Sequence, residues 1–120
     1  MALTDAETPL ILLKDRMRAF IAERGWEKYH TPKNIVMSLV VEASELMELF
    51  QWLSEAESLD LVRNNNKKTL IEEEMADILA YLFSLANVLE IDLAKAFERK
   101  MEKNEKKYPA SESFGTWKKR

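Results

Sequence analysis

Apolar residues recur at helical spacing along almost the whole chain. Leu10, Leu13, Met17, Phe20 and Ile21 fall on one face of a first helix, as the i, i+3, i+4 periodicity predicts. Thr8-Pro9 supplies its start, with the threonine as N-cap and the proline at the first helical position, and Gly25 supplies its stop. Thr31-Pro32 repeats the start signal, and a second helix is expected to run to Trp52-Leu53. Neither Gly nor Pro occurs from Lys33 to Tyr108. The next break therefore falls in the polar stretch Ser54 to Asn66, where Asn64-Asn65-Asn66 suits a turn. A third helix is predicted from Thr69 to Glu90, and a fourth, capped at Ile91-Asp92, to Lys107 before Pro109. Period-two alternation and hairpin dipeptides are both missing, so no strand is expected. The reading is all-α, a four-helix bundle-like single domain over residues 1–108 with a C-terminal tail at 109–120, whose Lys118-Lys119-Arg120 end reads as solvated.

At ~100° per residue, several acids intrude on these apolar faces. On the second helix Ile35, Leu39, Ala43, Leu46, Phe50 and Leu53 form an apolar sector; Glu42 projects at its flank, and Glu45 one step further round. On the third helix Leu70, Ile71, Ile78, Leu82, Leu85, Val88 and Leu89 form the face, with Glu74 inside it and Asp77 and Tyr81 on one edge. If the two faces pack together, four carboxylates converge in a partly buried place. Buried unpaired carboxylates must protonate or recruit cations, and neither helix places a basic residue there. A hard divalent cation answers this, and Mg²⁺, with Mn²⁺ as a substitute, fits carboxylate-plus-phosphate coordination. The competing reading makes the same acids ordinary i, i+3 or i, i+4 neighbours on solvated faces.

Composition narrows the chemistry. The chain's 120 residues leave room for one modest core, and at 47% hydrophobic it can build one. Two glycines leave no Gly-rich loop to cradle phosphate, which excludes a P-loop or dinucleotide fingerprint. Zero cysteines remove disulfides, zinc ribbons and thiol catalysis. A net charge of −3 argues against a nucleic-acid polymer as partner. No apolar run approaches the ~20 residues of a membrane span, and no secretory signal is evident, so the expected address is the cytoplasm. A ferritin-like di-iron site needs two Glu-x-x-His motifs, whereas the single histidine, His30, lies between the first two helices.

Glu42-x-x-Glu45, a gap of 28 residues and then Glu74-x-x-Asp77 resembles the ExxE…ExxD signature of the MazG-like all-α NTP pyrophosphohydrolases. The segments Glu23–His30, Glu42–Trp52, Glu73–Tyr81 and Lys100–Pro109 make the chain most similar to the dCTP pyrophosphatase branch. The resemblance implies a Mg²⁺-dependent hydrolase that cleaves a nucleoside triphosphate, dCTP or a modified dCTP, to monophosphate and pyrophosphate in nucleotide-pool housecleaning. It implies Glu42, Glu45, Glu74 and Asp77 as metal ligands, with Glu42 or Glu45 as the catalytic base. Trp26 and Trp52 match positions that enclose the base, and Tyr81 and Asn104 match further pocket residues; His30 is a substrate contact by its place in the first segment. Lys100 shares a helical stripe with Asn104 and is placed to meet phosphates. Met17 stands where dCTP pyrophosphatases carry a histidine, nine residues before the first Trp. The family's habit implies a homo-oligomer, a tetramer or else a dimer. The alternatives are a broad-specificity MazG-type pyrophosphatase and a non-catalytic oligomerisation or partner-binding module.

Overall fold

The computed structural model describes residues 2–117, and every regular element among them is helical. The helices are α1 Leu10–Glu23, α2 Pro32–Glu48, α3 Glu55–Asp60, α4 Asn65–Leu89, α5 Leu93–Lys107 and α6 Ala110–Ser113, with 3₁₀ turns at Glu27–Tyr29 and Leu61–Arg63. The all-α expectation holds, and the boundaries shift where side chains compete for backbone. Thr8 does not cap α1, because its Oγ1 accepts from the Thr4 N–H at 3.0 Å; Pro9 occupies the N-cap position instead. Thr31 does cap α2, accepting from Asn34 N–H at 3.3 Å.

The second helix stops at Glu48, short of the expected Trp52-Leu53. A capping box explains the early stop. Ser54 Oγ accepts from Glu57 N–H at 3.1 Å while Glu57 Oε1 accepts from Ser54 N–H at 2.9 Å. That reciprocal pair starts α3 and requires extended backbone at Ser54, so the chain leaves helix geometry beforehand. Asn64 Oδ1 accepts from the N–H groups of Asn66 and Lys67, so α4 begins at Asn65, ahead of the expected Thr69. Asp92 caps α5 as expected, accepting from Lys95 N–H at 2.9 Å. Pro109 opens the short α6 within the stretch read as a tail, and residues 118–120 lie outside the described residues.

Two compact units divide the chain, Met1–Glu90 and Ile91–Arg120, and the boundary expected at Pro109 falls inside the second. In the first, α1 and α2 both pack on α4. Ile21, Ile35, Phe83 and Ala86 are buried there, with Ser84, whose hydroxyl donates to the Ala80 carbonyl at 2.9 Å. The buried arc of α4 differs from the face read off the sequence: Leu82, Val88 and Leu89 are exposed. Both α1 and α2 pack on α4, and its buried residues are Phe83, Ser84 and Ala86. Asn87 ties α4 to α1, donating to the Lys14 carbonyl at 2.9 Å and accepting from Arg18 at 3.0 Å.

Ile35 is 1% exposed in this small core. Ile35→Ala is expected to lower unfolding free energy by about 3 kcal/mol, the usual sum of lost transfer and cavity terms. Urea unfolding checks this, and a loss below about 1 kcal/mol contradicts a tightly packed Ile35.

Candidate active site

The turn between α1 and α2 is built by a glycine. Gly25 adopts φ +63, a left-handed conformation that a residue without Cβ reaches cheaply. Its N–H donates to the Ala22 carbonyl and the Trp26 N–H to the Ile21 carbonyl, both at 3.1 Å. This is a Schellman ending, and Trp26, which follows it, lines a cavity of about 550 Å³ in the first unit. Trp26 meets the edge of Phe20 with ring centroids 5.8 Å apart, and the Arg24 guanidinium lies 3.8 Å over the Phe20 ring. Tyr29, at the end of the 3₁₀ turn, and His30, which follows it, line the cavity as well.

The same cavity has an acidic lining too. Glu42 and Asp77 line it beside Tyr81, and Met17 and Ser38 lie in the same lining. Ligand oxygens of Glu42, Glu45 and Glu74 all lie within 4.8 Å of one another. Asp77 stands outside that tight group, although its charge bears on Glu42 and Glu74. Burial pushes the Glu42 carboxyl up from 4.5 to about 7, and the neighbouring Glu45 and Asp77 push it the same way. Glu74 is also raised, by burial first and then by the charge of Glu45. Most informative, one oxygen of each, Oε2 of Glu42 and Oε2 of Glu74, is buried with no hydrogen-bond partner.

A buried acceptor without a donor costs roughly 1–3 kcal/mol, more when charged. Two of them side by side, among like charges, are what a cation would relieve. The donors are all hard carboxylate oxygens, which suit Mg²⁺ or Mn²⁺ and not a soft thiophilic metal. The residues present therefore fit a divalent cation.

The expected site residues do not all gather at this cavity. Trp26, His30, Glu42, Asp77 and Tyr81 line it. Trp52 is not among its lining residues; with α2 ended at Glu48 it sits in the following turn, 87% exposed. Lys100 and Asn104 lie on α5 in the second unit, one helical turn apart, where Asn104 makes a long contact of 4.0 Å to Met101 Sδ. Sequence reasoning missed Asn34 and Tyr29 and gave Ser38 no role, yet all three line the cavity. Asn34, Ser38 and Glu42 follow at four-residue intervals, so stepping back along α2 from Glu42 was the available signal.

An all-helical unit with paired acids on two packed helices and an aromatic wall beside them defines a helical, carboxylate-site protein class. The chain belongs to the MazG-like family, whose model matches residues 37–120. It is 41% identical over 97 residues to the rat protein dCTP pyrophosphatase 1, covering 81% of this chain and 57% of that protein. The human dCTP pyrophosphatase 1 is 41% identical over 91 residues, covering 76% of this chain and 54% of its own length. The chain thus spans a little over half the length of these curated relatives. The crystal structure of a pyrophosphatase from Archaeoglobus fulgidus matches with TM-score 0.77 and 44% identity, over 90% of this chain and 99% of that one.

Proposed function

We propose that this protein is a divalent-metal-dependent nucleoside triphosphate pyrophosphohydrolase that converts dCTP or a 5-modified dCTP to the monophosphate and pyrophosphate. The observation that carries the reading is the pair of buried oxygens without a hydrogen-bond partner on Glu42 and Glu74, with Glu42 in the lining of a cavity that Trp26, Tyr29 and Tyr81 also line. The names of the rat and human relatives and of the archaeal pyrophosphatase support the same reaction class. Glu42, Glu45, Glu74 and Asp77 would hold the cation. When bound, Mg²⁺ neutralises phosphate charge and lowers the pKa of water.

The chain's own residues do the rest. Glu42 or Glu45 accepts a proton from the water whose oxygen bonds to the α-phosphorus, and the bond from that phosphorus to the α,β-bridging oxygen breaks. Trp26 offers a π-face to the base, and Tyr81 and His30 contact the nucleoside. Lys100 is assigned to the phosphates, Asn104 to a further pocket contact and Trp52 to the base. Such a role suits nucleotide-pool housecleaning in the cytoplasm; among the described residues no helix is long and apolar enough to cross a membrane.

Phosphorus NMR of the products tests the reaction. Pyrophosphate and dCMP are expected from dCTP with millimolar Mg²⁺. Orthophosphate and dCDP, or no turnover of any dNTP, would overturn the assignment. Equal turnover of all four dNTPs would move it to a broad-specificity pyrophosphatase.

The working form is proposed to be a homo-oligomer, a tetramer. Val36, Met37, Val40, Val41 and Met47 are exposed on α2, Met37, Val40, Val41 and Met47 each by more than half, and a lone chain leaves that apolar surface in water. Light scattering should give a mass of four chains, and Val40→Glu should lower it. A wild-type mass of one chain contradicts the proposal.

A further inference from the structure

We infer that Asn87 is a positioning residue for the proposed reaction: its side chain sets the register of α1 on α4, and with it the cavity wall that α1 supplies. The inference rests on the pyrophosphohydrolase reading and adds to it a residue outside the cavity lining. Asn87 uses both ends of its amide. Nδ2 donates to the Lys14 carbonyl at 2.9 Å, and Oδ1 accepts from Arg18 Nη2 at 3.0 Å. Lys14 and Arg18 stand about one helical turn apart, so α1 is gripped at two points. Arg18 Nη1 also donates to Asp15 Oδ1 at 2.7 Å. Both of these charged side chains are more than half exposed, so the ion pair itself adds little stability. Its effect is to steady the guanidinium that meets Asn87.

The rest of the α1–α4 contact fixes that register weakly. On α4, Ala76, Ala80 and Ser84 follow at four-residue intervals, and the Ser84 hydroxyl is used inside its own helix, on the Ala80 carbonyl. Cavities of about 220 Å³ and 180 Å³ are lined from both helices, the first by Leu13 and Phe20 with Ala76 and Leu79, the second by Ile21 with Ser84. Ile21 is the buried residue of α1, while Leu10, Ile11 and Leu12 are exposed. Apolar contact is non-directional, whereas a hydrogen bond has a preferred length and angle. The Asn87 amide is therefore the group that stops α1 from sliding or turning on α4. Met17 and Ile21 lie three residues beyond Lys14 and Arg18, and both line the cavity of about 550 Å³. The clustered acids sit on α2 and α4, and α1 contributes none of them. Releasing α1 thus moves a wall and leaves the acids in place.

The test compares wild type, Asn87→Leu and Arg18→Met with dCTP and Mg²⁺. Asn87→Leu keeps the side-chain size and removes both bonds; Arg18→Met keeps an apolar stem and removes one. KM should rise about fivefold or more in Asn87→Leu and about threefold in Arg18→Met, with kcat within about twofold. Combining the two should be no worse than Asn87→Leu alone, because they break one connection. Backbone hydrogen exchange should quicken in α1 and stay as in wild type in α2. A residue that serves stability alone would lower Tm and leave KM untouched. KM within about twofold of wild type in folded Asn87→Leu, a loss carried by kcat, an additive double variant or unchanged α1 exchange each overturns the inference and leaves the pyrophosphohydrolase reading intact. If Asn87→Leu does not fold, Arg18→Met carries the same test. If wild type turns over no triphosphate, that reading has failed instead, and calorimetry with dCMP decides: weaker binding by Asn87→Leu upholds the positioning role, equal or absent binding sinks it.

Discussion

Glu42→Gln and Glu74→Gln are each expected to cut turnover by a factor of about 10² or more while leaving the far-UV helix signal unchanged. The two residues sit on different helices, α2 and α4, yet share one cluster with Glu45 and each bury one carboxylate oxygen without a donor. Glutamine keeps the shape and removes the charge, so the helices still pack, but the amide nitrogen cannot ligate a cation. The sign of the stability effect separates function from structure. Because Glu42 lies among like charges, Glu42→Gln should leave the metal-free protein at pH 8 as stable as wild type or more so, by thermal unfolding. An active Glu42→Gln enzyme, or one that fails to fold, contradicts a site held apart by charge and completed by metal.

Acidity provides the second large effect. Glu42's carboxyl has an ordinary value of 4.5 and is raised to about 7 in the folded chain. A group raised on folding takes up protons more readily in the native state. Its contribution to metal-free stability is therefore fully present below 4.5 and lost as pH rises through about 7. Glu74 is raised too and acts in the same direction. Glu57 opposes them: the Ser54 backbone and hydroxyl hold it below its ordinary value, so its contribution is present above 4.5 and lost as pH falls through its lowered value. Metal-free wild type should thus gain thermal stability as pH drops from 8 toward 5 and lose that gain in stronger acid. Adding Mg²⁺ or Mn²⁺ should raise Tm at pH 8 and much less at pH 5, where protons hold the same oxygens. A Tm rise with metal that is the same at both pH values contradicts the assignment.

The paired acids were legible in the sequence because helical wheels convert spacing directly into direction, and Glu42, Glu45 and Glu74 do meet. Asp77 was drawn in at the same weight, yet a wheel gives direction without reach, and it stands beside the tight cluster. Trp52 was misplaced on a helix for a local reason: the Ser54–Glu57 capping box lay in a stretch read only as polar. The arc on α4 was misjudged because a wheel drawn for one partner cannot anticipate two neighbours, α1 and α2. Asn34 lines the cavity yet escaped notice, because no spacing rule announces its bond to the Tyr29 carbonyl.

Electron paramagnetic resonance of Mn²⁺ tests the central claim, that helical carboxylates and not a backbone loop hold the metal for the triphosphate. Titrated with wild-type protein, the free Mn²⁺ signal should fall, and fall further with dCTP present. Glu42→Gln and Glu74→Gln should each restore most of it without nucleotide. An undiminished signal with wild type, or equal loss with both variants, would contradict the account.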